Sequence, residues 1–325
     1  MSILVSVPVL TYNSAEFVEE TLESIYNQTY QNLQLIISDD CSKDNTVEIV
    51  QKWCNQSRVK ERFADIKIIT VPKNTGIPAN FNRCIKASDG DWLKLISGDD
   101  ALLPNCILDN VKHVLENPSI KVLYSYLKIY RNTFEEKNFV KLSPAKLPTH
   151  IITTEISAFE QYQLFLVSDR IQFTPSMFLN KEAILKAGLP KEHLFSEDFQ
   201  TKLNLTKAGF KLHFFEKETV LYRQHEMATN NMIQDYVLKP HYFKTEDFRK
   251  EYIYPNVPID VKRWHQFNWI ANQIFRIERL NRKTTFSSFL HYILTSVLNP
   301  FKYIIYIKAT YITKYKDIVF YKKSK

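Results

Sequence analysis

Short apolar runs alternate with helix-spaced apolar patterns over the first 126 residues, and this alternation constrains the fold more than any other feature. Buried strands are predicted for five β-branched, apolar runs, at residues 3–9, 33–38, 66–71, 92–97 and 122–126. Helices are predicted for the segments between and after them, at residues 16–27, 45–55, 77–87 and 106–116. This order is typical of an α/β protein whose mainly parallel sheet is flanked by helices.

The pattern changes twice further along the chain. Residues 131–150 are polar and predict a long loop. Helices and strands return between residues 156 and 224, with strands expected at 176–179, 212–215 and 219–222 and helices at 181–187 and 197–208. From residue 235 the pattern is helical. We therefore expect a sheet domain over residues 1–230 and a helical extension over residues 231–325.

The net charge of +8 belongs to the C-terminal part of the chain. Residues 262–325 hold 13 Lys and Arg against 2 Asp and Glu, whereas residues 1–261 hold 30 against 33. Aromatic residues are interleaved with these cations. A nucleic-acid-binding function would rest on the pI of 9.0 alone, so we expect no nucleic-acid partner. With 45% apolar residues the chain is also not disordered.

The sequence carries no pattern of export or membrane insertion. Its four cysteines lack metal-site spacing, and its first residues lack a basic region and a cleavage site. The apolar stretch at residues 289–307 is interrupted by His291, Pro300 and Lys302, so it falls short of the roughly 20 apolar residues of a spanning helix. We expect a cytoplasmic protein, with peripheral contact to the inner face of the membrane as a hypothesis.

Acidic pairs stand where predicted strands end or helices begin. They are Asp39-Asp40, Asp99-Asp100 and Glu197-Asp198. Ligands of such sheets bind beyond the carboxyl ends of the strands, and Mg²⁺ or Mn²⁺ prefers oxygen ligands together with substrate phosphates. Asp is also common in turns and at helix starts for structural reasons, so each pair alone has an ordinary alternative.

Several motifs occur in one order along residues 3–230. The first are VSVPVLTYN at 5–13, QTY at 28–30 and DDCSKDNT at 39–46. They are followed by NTG at 74–76, Asn82, GDWLKLISGDD at 90–100, SED at 196–198, Leu203, AGFK at 208–211 and YRQH at 222–225. Together they resemble the family 2 glycosyltransferases. The resemblance does not include the tail.

The resemblance implies a GT-A fold, which is Rossmann-like, and a nucleotide-sugar donor, with UDP favoured. It places the nucleotide against Leu10, Thr11 and Tyr12, with Asp39 accepting a hydrogen bond from the base. An aromatic ring suits stacking, and a carboxylate suits the imide N–H of uracil. Tyr12 has an alternative interpretation as an aromatic residue of the core.

The resemblance also implies a divalent metal, Mn²⁺ or Mg²⁺. The first acidic position of the Asp-x-Asp segment is Ser97, which leaves Asp99 and Asp100 as ligands, with one of them, Asp99, also able to reach the ribose. His225 is implied as a third ligand or a diphosphate contact, with a structural role as its alternative. We do not choose between Asp99 and Asp100 as the main ligand from the sequence.

Asp198 is the predicted general base of an inverting reaction. Inversion needs one group to take the proton of the acceptor hydroxyl, while the leaving diphosphate is stabilised electrostatically. The alternative for Asp198 is an ordinary acid in the first turn of a helix. Glu197, Arg223 and Asn82 are additional candidates. Arg223 would neutralise the diphosphate or form a surface ion pair.

The predicted function is transfer of a sugar to a hydroxyl acceptor, with a lipid-linked saccharide of surface polysaccharide synthesis as the favoured acceptor. A catalytically silent nucleotide-sugar-binding or scaffold protein is the alternative, because Ser97 departs from the motif. The basic, aromatic tail predicts contact with an anionic membrane surface. Its alternative is a helical appendage that packs on the core and exposes a solvated basic face.

Overall fold

The computed structural model describes residues 2–144, 156–167, 174–226 and 236–307. Its strands are β1 Val5–Thr11, β2 Leu33–Asp39, β3 Asp65–Thr70, β4 Trp92–Lys94, β5 Ile96–Ser97, β6 Ala101–Leu102, β7 Val122–Arg131, β8 Phe139–Ser143, β9 Phe178–Asn180 and β10 Leu212–Gln224. The helices of the same part of the chain are α1 Val18–Tyr26, α2 Thr46–Cys54, α3 Ser57–Arg62, α4 Ile77–Ala87, α5 Cys106–Glu116, α6 Ala158–Val167, α7 Lys181–Ala187 and α8 Glu197–Lys207.

These strands form one mixed sheet in the order β3-β2-β1-β4-β9-β7-β10-β6, with β5 paired to β1 and β8 to β7. The pairs of β1 with β2, β4 and β5, of β2 with β3, and of β7 with β10 are parallel. Strand β9 is antiparallel to both β4 and β7 and joins the two parallel groups. Helix α4 packs on β1 and β2, and α5 packs on β10. The predicted α/β class with a mainly parallel sheet is confirmed.

The apolar runs of β1 and β2 are strands that are covered on both faces. Val5, Val7 and Val9 of β1 are completely buried, and every residue of β2 is buried. Strands buried on both faces read as continuous apolar runs in the sequence. Because β1 and β2 are parallel neighbours, with Thr11 beside Asp39, their carboxyl ends open at the same edge of the sheet.

Two local expectations were wrong. Part of the expected loop at 131–150 is strand β8, which pairs with β7 as an exposed antiparallel edge; its five residues, FVKLS, are too short a run within a mainly polar stretch to indicate a strand. Residues 145–150 lie outside the described residues. The two strands expected at 212–215 and 219–222 are one strand, β10, whose pairing with β7 shifts register between Phe215 and Val220. The charged residues Glu216 and Lys217 occupy this irregularity instead of a turn.

The chain divides into two compact units. The first contains the sheet and comprises residues 1–162 and 170–225; the second comprises residues 163–169 and 226–325. The described part of the second unit is helical, with α9 Glu246–Phe248, α10 Ile259–Asn272, α11 Glu278–Asn281, α12 Thr285–Tyr292 and α13 Pro300–Ile307, besides short 3-10 and π turns. None of the described helices is long and apolar enough to cross a membrane.

Candidate active site

The loop after β1 and the loop after β2 are joined by reciprocal hydrogen bonds. The backbone N–H of Asn13 donates to Oγ of Ser42 at 2.8 Å, and the backbone N–H of Lys43 donates to Oδ1 of Asn13 at 2.8 Å. The N–H of Ser14 donates to Oγ1 of Thr46 at 2.8 Å. Asn13 adopts a left-handed conformation, with φ of 52°, which Asn tolerates better than most residues. The two loops therefore form one connected rim.

Asp39 is the buried anchor of this rim. Its carboxylate accepts hydrogen bonds from Oγ1 of Thr11 at 2.9 Å, from the backbone N–H of Ser42 at 2.8 Å and from Oγ of Ser42. Asp39 is 3% exposed. A carboxylate offers about four acceptor positions, so three bonds within the chain leave room for a further donor.

Tyr12 stands on the same rim with its side chain in solvent. It is 49% exposed, although Thr11 before it is buried. The alternative interpretation of Tyr12 as a core aromatic is therefore wrong. An exposed ring directly after a buried strand provides a flat surface on which a planar base can stack.

Asp40, the second member of the first acidic pair, has a different environment. Its carboxylate accepts hydrogen bonds from the backbone N–H groups of Thr75 and Gly76, at 3.0 and 2.8 Å, and forms an ion pair with Arg83 at 2.9 Å. Burial alone would raise the pKa of Asp40, but the bonds from Thr75, Arg83 and Gly76 lower it below its usual value. Asp40 thus fastens the loop at 74–76 and helix α4 to the end of β2.

The turn after β5 carries the second acidic pair and lies tightly against the first loop. The N–H of Gly98 donates to the carbonyl of Leu10 at 2.9 Å. A Cβ at position 98 would stand 2.9 Å from Cγ2 of Thr11 and 3.1 Å from Oγ of Ser14. Only glycine fits this approach without movement of its neighbours. It places Asp99 next to the rim that holds Tyr12 and Asp39.

Asp99 and His225 are in direct contact. Nε2 of His225 lies 3.0 Å from Oδ2 of Asp99, and the two side chains are 11% and 26% exposed. The His225 ring also packs on Phe17, with 4.6 Å between ring centroids. A partly exposed carboxylate beside an imidazole is a donor pair that Mn²⁺ accepts.

Asp100, the other predicted ligand, is not brought into this exposed position. It is 1% exposed, and Oδ1 accepts a hydrogen bond from the backbone N–H of Arg223 at 2.9 Å. Burial, and then the charge of Asp99, raise the pKa of Asp100 well above its ordinary value. Among the described residues, no three His, Cys, Asp or Glu side chains gather as a complete metal site.

Arg223 lies beneath the acidic turn instead of in solvent. Its side chain is 2% exposed, which contradicts the surface ion pair, and Nε donates to the carbonyl of Asp99 at 2.8 Å. The guanidinium also donates to the carbonyl of Asn132 and pairs with Glu20. It is held between the rings of Phe17 and Phe134, at 4.5 and 3.9 Å from their centroids. These partners give Arg223 a positioning role beneath the acidic turn, and its expected diphosphate contact stays a prediction.

Asp198 stands in the first turn of α8. Its Oδ1 accepts hydrogen bonds from Oγ of Ser196 and from the N–H of Phe199, both at 2.7 Å, and its Oδ2 lies 3.7 Å from Nζ of the buried Lys202. Its side chain is 28% exposed. Burial, and then the charge of Asp198, raise the pKa of the neighbouring Glu197 to about 8. Asp198 is therefore an oriented, solvent-accessible carboxylate.

Asn82 is not one of the residues that form the rim. It is buried on α4, and Nδ2 donates to the carbonyl of Pro190 at 2.8 Å and to Glu192 at 3.1 Å. Gln200 holds the same loop through the N–H of Lys191 at 2.8 Å. Asn82 therefore fixes the loop that leads into α8.

The sequence did not indicate the side chains that hold the predicted site residues in place. Ser42 and Asn13 lie within recognised motifs, and the left-handed tendency of Asn was a usable signal for the second. Glu20, Phe17 and Phe134 gave no signal, because their roles depend on burying Arg223 between separate elements.

The chain is similar to known glycosyltransferases in sequence and in fold. The family described as Glycosyl transferase family 2 matches residues 6–184. The chain spans 37% and 62% of the length of two Haemophilus influenzae glycosyltransferases, to which it is 33% and 28% identical. The aligned regions cover 39% and 62% of this chain.

The chain is similar over a longer region to the Escherichia coli UDP-Glc:α-D-GlcNAc-diphosphoundecaprenol β-1,3-glucosyltransferase WfaP. The two are 26% identical over 68% of this chain and 78% of WfaP. Among solved structures, S. aureus TarS 1–349 in complex with UDP-GlcNAc is similar over 97% of this chain and 80% of that chain, with a TM-score of 0.55 and 17% identity. A Pyrobaculum calidifontis mannosyltransferase in complex with GDP-Man and Mn²⁺ is similar over 93% of this chain and 72% of that chain, with a TM-score of 0.50 and 14% identity. These likenesses show the GT-A fold.

The buried position of Arg223 predicts a large loss of stability when its charge is removed. We expect Arg223→Met to lower the free energy of unfolding by about 2–6 kcal/mol, because the carbonyls of Asp99 and Asn132 lose their buried donor, at about 1–3 kcal/mol each. The control is Lys128→Met on β7, whose pair with Glu218 at 3.6 Å is more exposed and is worth up to about 1 kcal/mol. Urea denaturation followed by tryptophan fluorescence measures both, and equal losses would contradict the positioning role.

The raised pKa of Glu197 predicts a specific pH dependence of stability. The folded protein holds this proton to a pH of about 8, whereas the unfolded chain releases it near 4.5, so stability is lost progressively between these values. Glu197→Gln removes this component, and its Tm relative to wild type should rise from pH 5 to pH 8. The exposed control Glu61→Gln should show a constant difference. A constant difference for both variants would mean that Glu197 titrates normally.

Proposed function

Since the chain belongs to glycosyl transferase family 2, we propose that it is an inverting glycosyltransferase that uses a UDP-sugar as donor. The favoured acceptor is a hydroxyl group of a lipid-linked saccharide in surface polysaccharide synthesis. One observation carries the proposal. The exposed Tyr12 ring and the Asp39 carboxylate share a rim with the turn that bears Asp99, at the carboxyl edge of the parallel strands, where such sheets bind ligands.

The donor nucleotide would lie on the loop that follows β1. The Tyr12 ring is free to stack on the base, and Asp39 keeps acceptor capacity for an imide N–H. Leu10 and Thr11 provide the backbone and the buried hydroxyl that orient these two groups, since Thr11 donates to Asp39 at 2.9 Å. Support for UDP comes from the WfaP name and from the TarS complex with UDP-GlcNAc.

A divalent cation, Mn²⁺ or Mg²⁺, would be held by Asp99 and His225. Their contact at 3.0 Å supplies one oxygen and one nitrogen donor, and diphosphate oxygens would complete the ligand set. When bound, the cation would neutralise the charge of the leaving diphosphate. The Mn²⁺ complex of the Pyrobaculum mannosyltransferase supports a metal in a protein of this fold. Asp100 is assigned a structural role, because it is buried and bonded to the backbone of Arg223.

Asp198 would act as the general base. It accepts the proton of the acceptor hydroxyl while the acceptor oxygen bonds to the anomeric carbon and the bond from that carbon to the diphosphate breaks. The bonds from Ser196 and Phe199 to Oδ1 fix the orientation of the carboxylate, and Oδ2 lies 3.7 Å from the ammonium of Lys202. This orientation supports Asp198 over Glu197, whose raised pKa keeps it protonated near neutral pH.

A membrane-bound acceptor agrees with the composition of the C-terminal part. WfaP is named for an acceptor linked to diphosphoundecaprenol, which is a lipid carrier. The net positive charge of residues 262–325 favours the anionic, cytoplasmic face of a membrane. We therefore place the enzyme in the cytoplasm as a peripheral protein of the inner membrane face, with the sheet unit over residues 1–230 as the catalytic part.

The metal assignment predicts that removal of either donor side chain, Asp99 or His225, weakens metal-dependent binding of UDP. Asp99→Asn and His225→Gln should each weaken Mn²⁺-dependent binding of UDP by about tenfold or more, as loss of one good charge-assisted contact does. The exposed Asp91→Asn is the control and should bind as wild type does. Isothermal titration calorimetry with UDP, with Mn²⁺ and with EDTA, measures the effect. Unchanged metal dependence in Asp99→Asn would contradict the assignment.

The assignment of the base predicts a loss in the rate of chemistry with donor binding retained. Asp198→Asn should reduce sugar transfer or donor hydrolysis by a factor of about 10²–10⁴, the range of general base catalysis, with UDP affinity within twofold of wild type. Glu192→Gln, in the loop before α8, is the control. A screen across UDP-, dTDP- and GDP-sugars with Mn²⁺ identifies the donor first.

The same screen separates the enzyme from a catalytically silent binding protein. Turnover by wild type that is lost in Asp198→Asn supports the enzyme. Donor binding without turnover, for the wild type and the variant alike, would favour the silent alternative.

A further inference from the structure

We propose that two rows of exposed apolar side chains in the second unit insert into the headgroup layer of an anionic lipid bilayer. The first row is Ile270, Ile274 and Ile277, and the second row is Phe286, Phe289 and Tyr292. This inference rests on the proposed function, because the two rows are the surface by which the proposed enzyme would reach a membrane-bound acceptor. It assigns that contact to described residues, before the basic tail at 308–325.

The first row follows the end of α10 into the next turn. Ile270 lies near the end of α10, Ile274 lies in the 3-10 turn over Gln273–Arg276, and Ile277 follows that turn in extended backbone. They are 71%, 39% and 55% exposed. Phe275, between the last two, is buried at 1%, so the segment also has a well-packed inner side.

The second row lies on α12, and contacts on the opposite side of this helix fix its outward orientation. Phe286, Phe289 and Tyr292 are 64%, 61% and 57% exposed and are spaced by three residues. Ser287, which points the other way by helical periodicity, is buried, and its N–H donates to Oγ1 of Thr284 at 3.0 Å. The His291 ring packs edge-on against Phe275, with 5.5 Å between centroids. The outward position of the aromatic row is therefore a consequence of the fold of this unit.

Cations accompany both rows. Residues 262–307 contain seven Lys and Arg against one acidic residue, Glu278. The exposed cations nearest in sequence to the rows are Arg276, Arg279, Arg282 and Lys283. The remaining residues, 308–325, add six Lys and four aromatic residues against one Asp. A cationic surface with Ile, Phe and Tyr at its apolar positions is complementary to anionic headgroups and the acyl boundary below them.

Exposure of the apolar side chains of these two rows to water is unfavourable. Three isoleucines, two phenylalanines and a tyrosine of one unit are each more than a third exposed, and grouped apolar exposure marks an interaction surface. Because no described helix is able to span a membrane, contact in the plane of the interface is the mode that the rows fit. Aromatic rings and isoleucine supply the apolar contact, and the Lys and Arg side chains extend toward the headgroups.

The test uses the full chain and sucrose-loaded vesicles of phosphatidylcholine with or without phosphatidylglycerol. Wild type should co-sediment with the anionic vesicles, less at high salt, and not with the neutral ones. Phe286→Ser with Phe289→Ser, and Ile270→Ser with Ile274→Ser, should each reduce the bound-to-free ratio at least tenfold. The matched control combines Leu115→Ser and Leu185→Ser, which alters two apolar side chains of the first unit that are 59% and 49% exposed and should leave binding unchanged.

Two results would overturn the inference. Wild-type binding that survives both double variants would assign the contact to residues 308–325 alone. The wild type could instead form a dimer in light scattering, bind no vesicles and become monomeric in the variants. This result would mean that the rows contact a second copy of the chain. Circular dichroism and Tm confirm that each variant is folded.

Donor hydrolysis without vesicles, measured on the same samples, keeps the two proposals separate. The variants should hydrolyse the donor at the wild-type rate. Absence of hydrolysis in the wild type would refute the proposed catalysis and leave the vesicle result standing.

Discussion

Three carboxylates are buried at the carboxyl edge of the sheet, and the need to compensate them organises this end of the molecule. Asp39, Asp40 and Asp100 are each at most 3% exposed, and an uncompensated buried carboxylate costs several kcal/mol. Each one therefore recruits donors from other segments. Asp39 uses the loop after β2, Asp40 uses the loop before α4 together with Arg83, and Asp100 uses the backbone of β10. In satisfying these groups, the chain brings separate loops to one edge, where Asp99 and Tyr12 remain accessible.

The same edge shows how a pair of adjacent acids is divided between structure and chemistry. In both Asp39-Asp40 and Asp99-Asp100, the second residue is tied to backbone N–H groups of a distant segment. In the second pair the first residue stays partly exposed and meets His225. The second pair therefore combines a buried anchor, Asp100, with a partly exposed carboxylate, Asp99, which the proposed enzyme would present to its ligand.

The sequence predicted the class of fold and the edge of the site, because these follow from local patterns. Apolar runs fix β1 and β2, helical spacing fixes α4, and strand ends fix the positions of Asp39 and Asp99. It did not predict β8, a five-residue, largely exposed strand within a mainly polar stretch, or the continuity of β10, which depends on pairing with β7 across an irregular register. Arg223 was misinterpreted for a related reason. Its burial is created by Phe17, Phe134 and Glu20, and no spacing in the sequence connects these three residues.

Ser196, the residue before α8, adopts a left-handed conformation with φ of 72°, and its hydroxyl donates to Asp198. Left-handed backbone costs a non-glycine residue about 1–2 kcal/mol. Glycine would release that strain but would remove the hydroxyl, and threonine would keep the hydroxyl but add a β-branch to a strained backbone. The position therefore carries a trade-off between the stability of the helix start and the orientation of the carboxylate. Selection for a more stable protein at this residue would act against the proposed base.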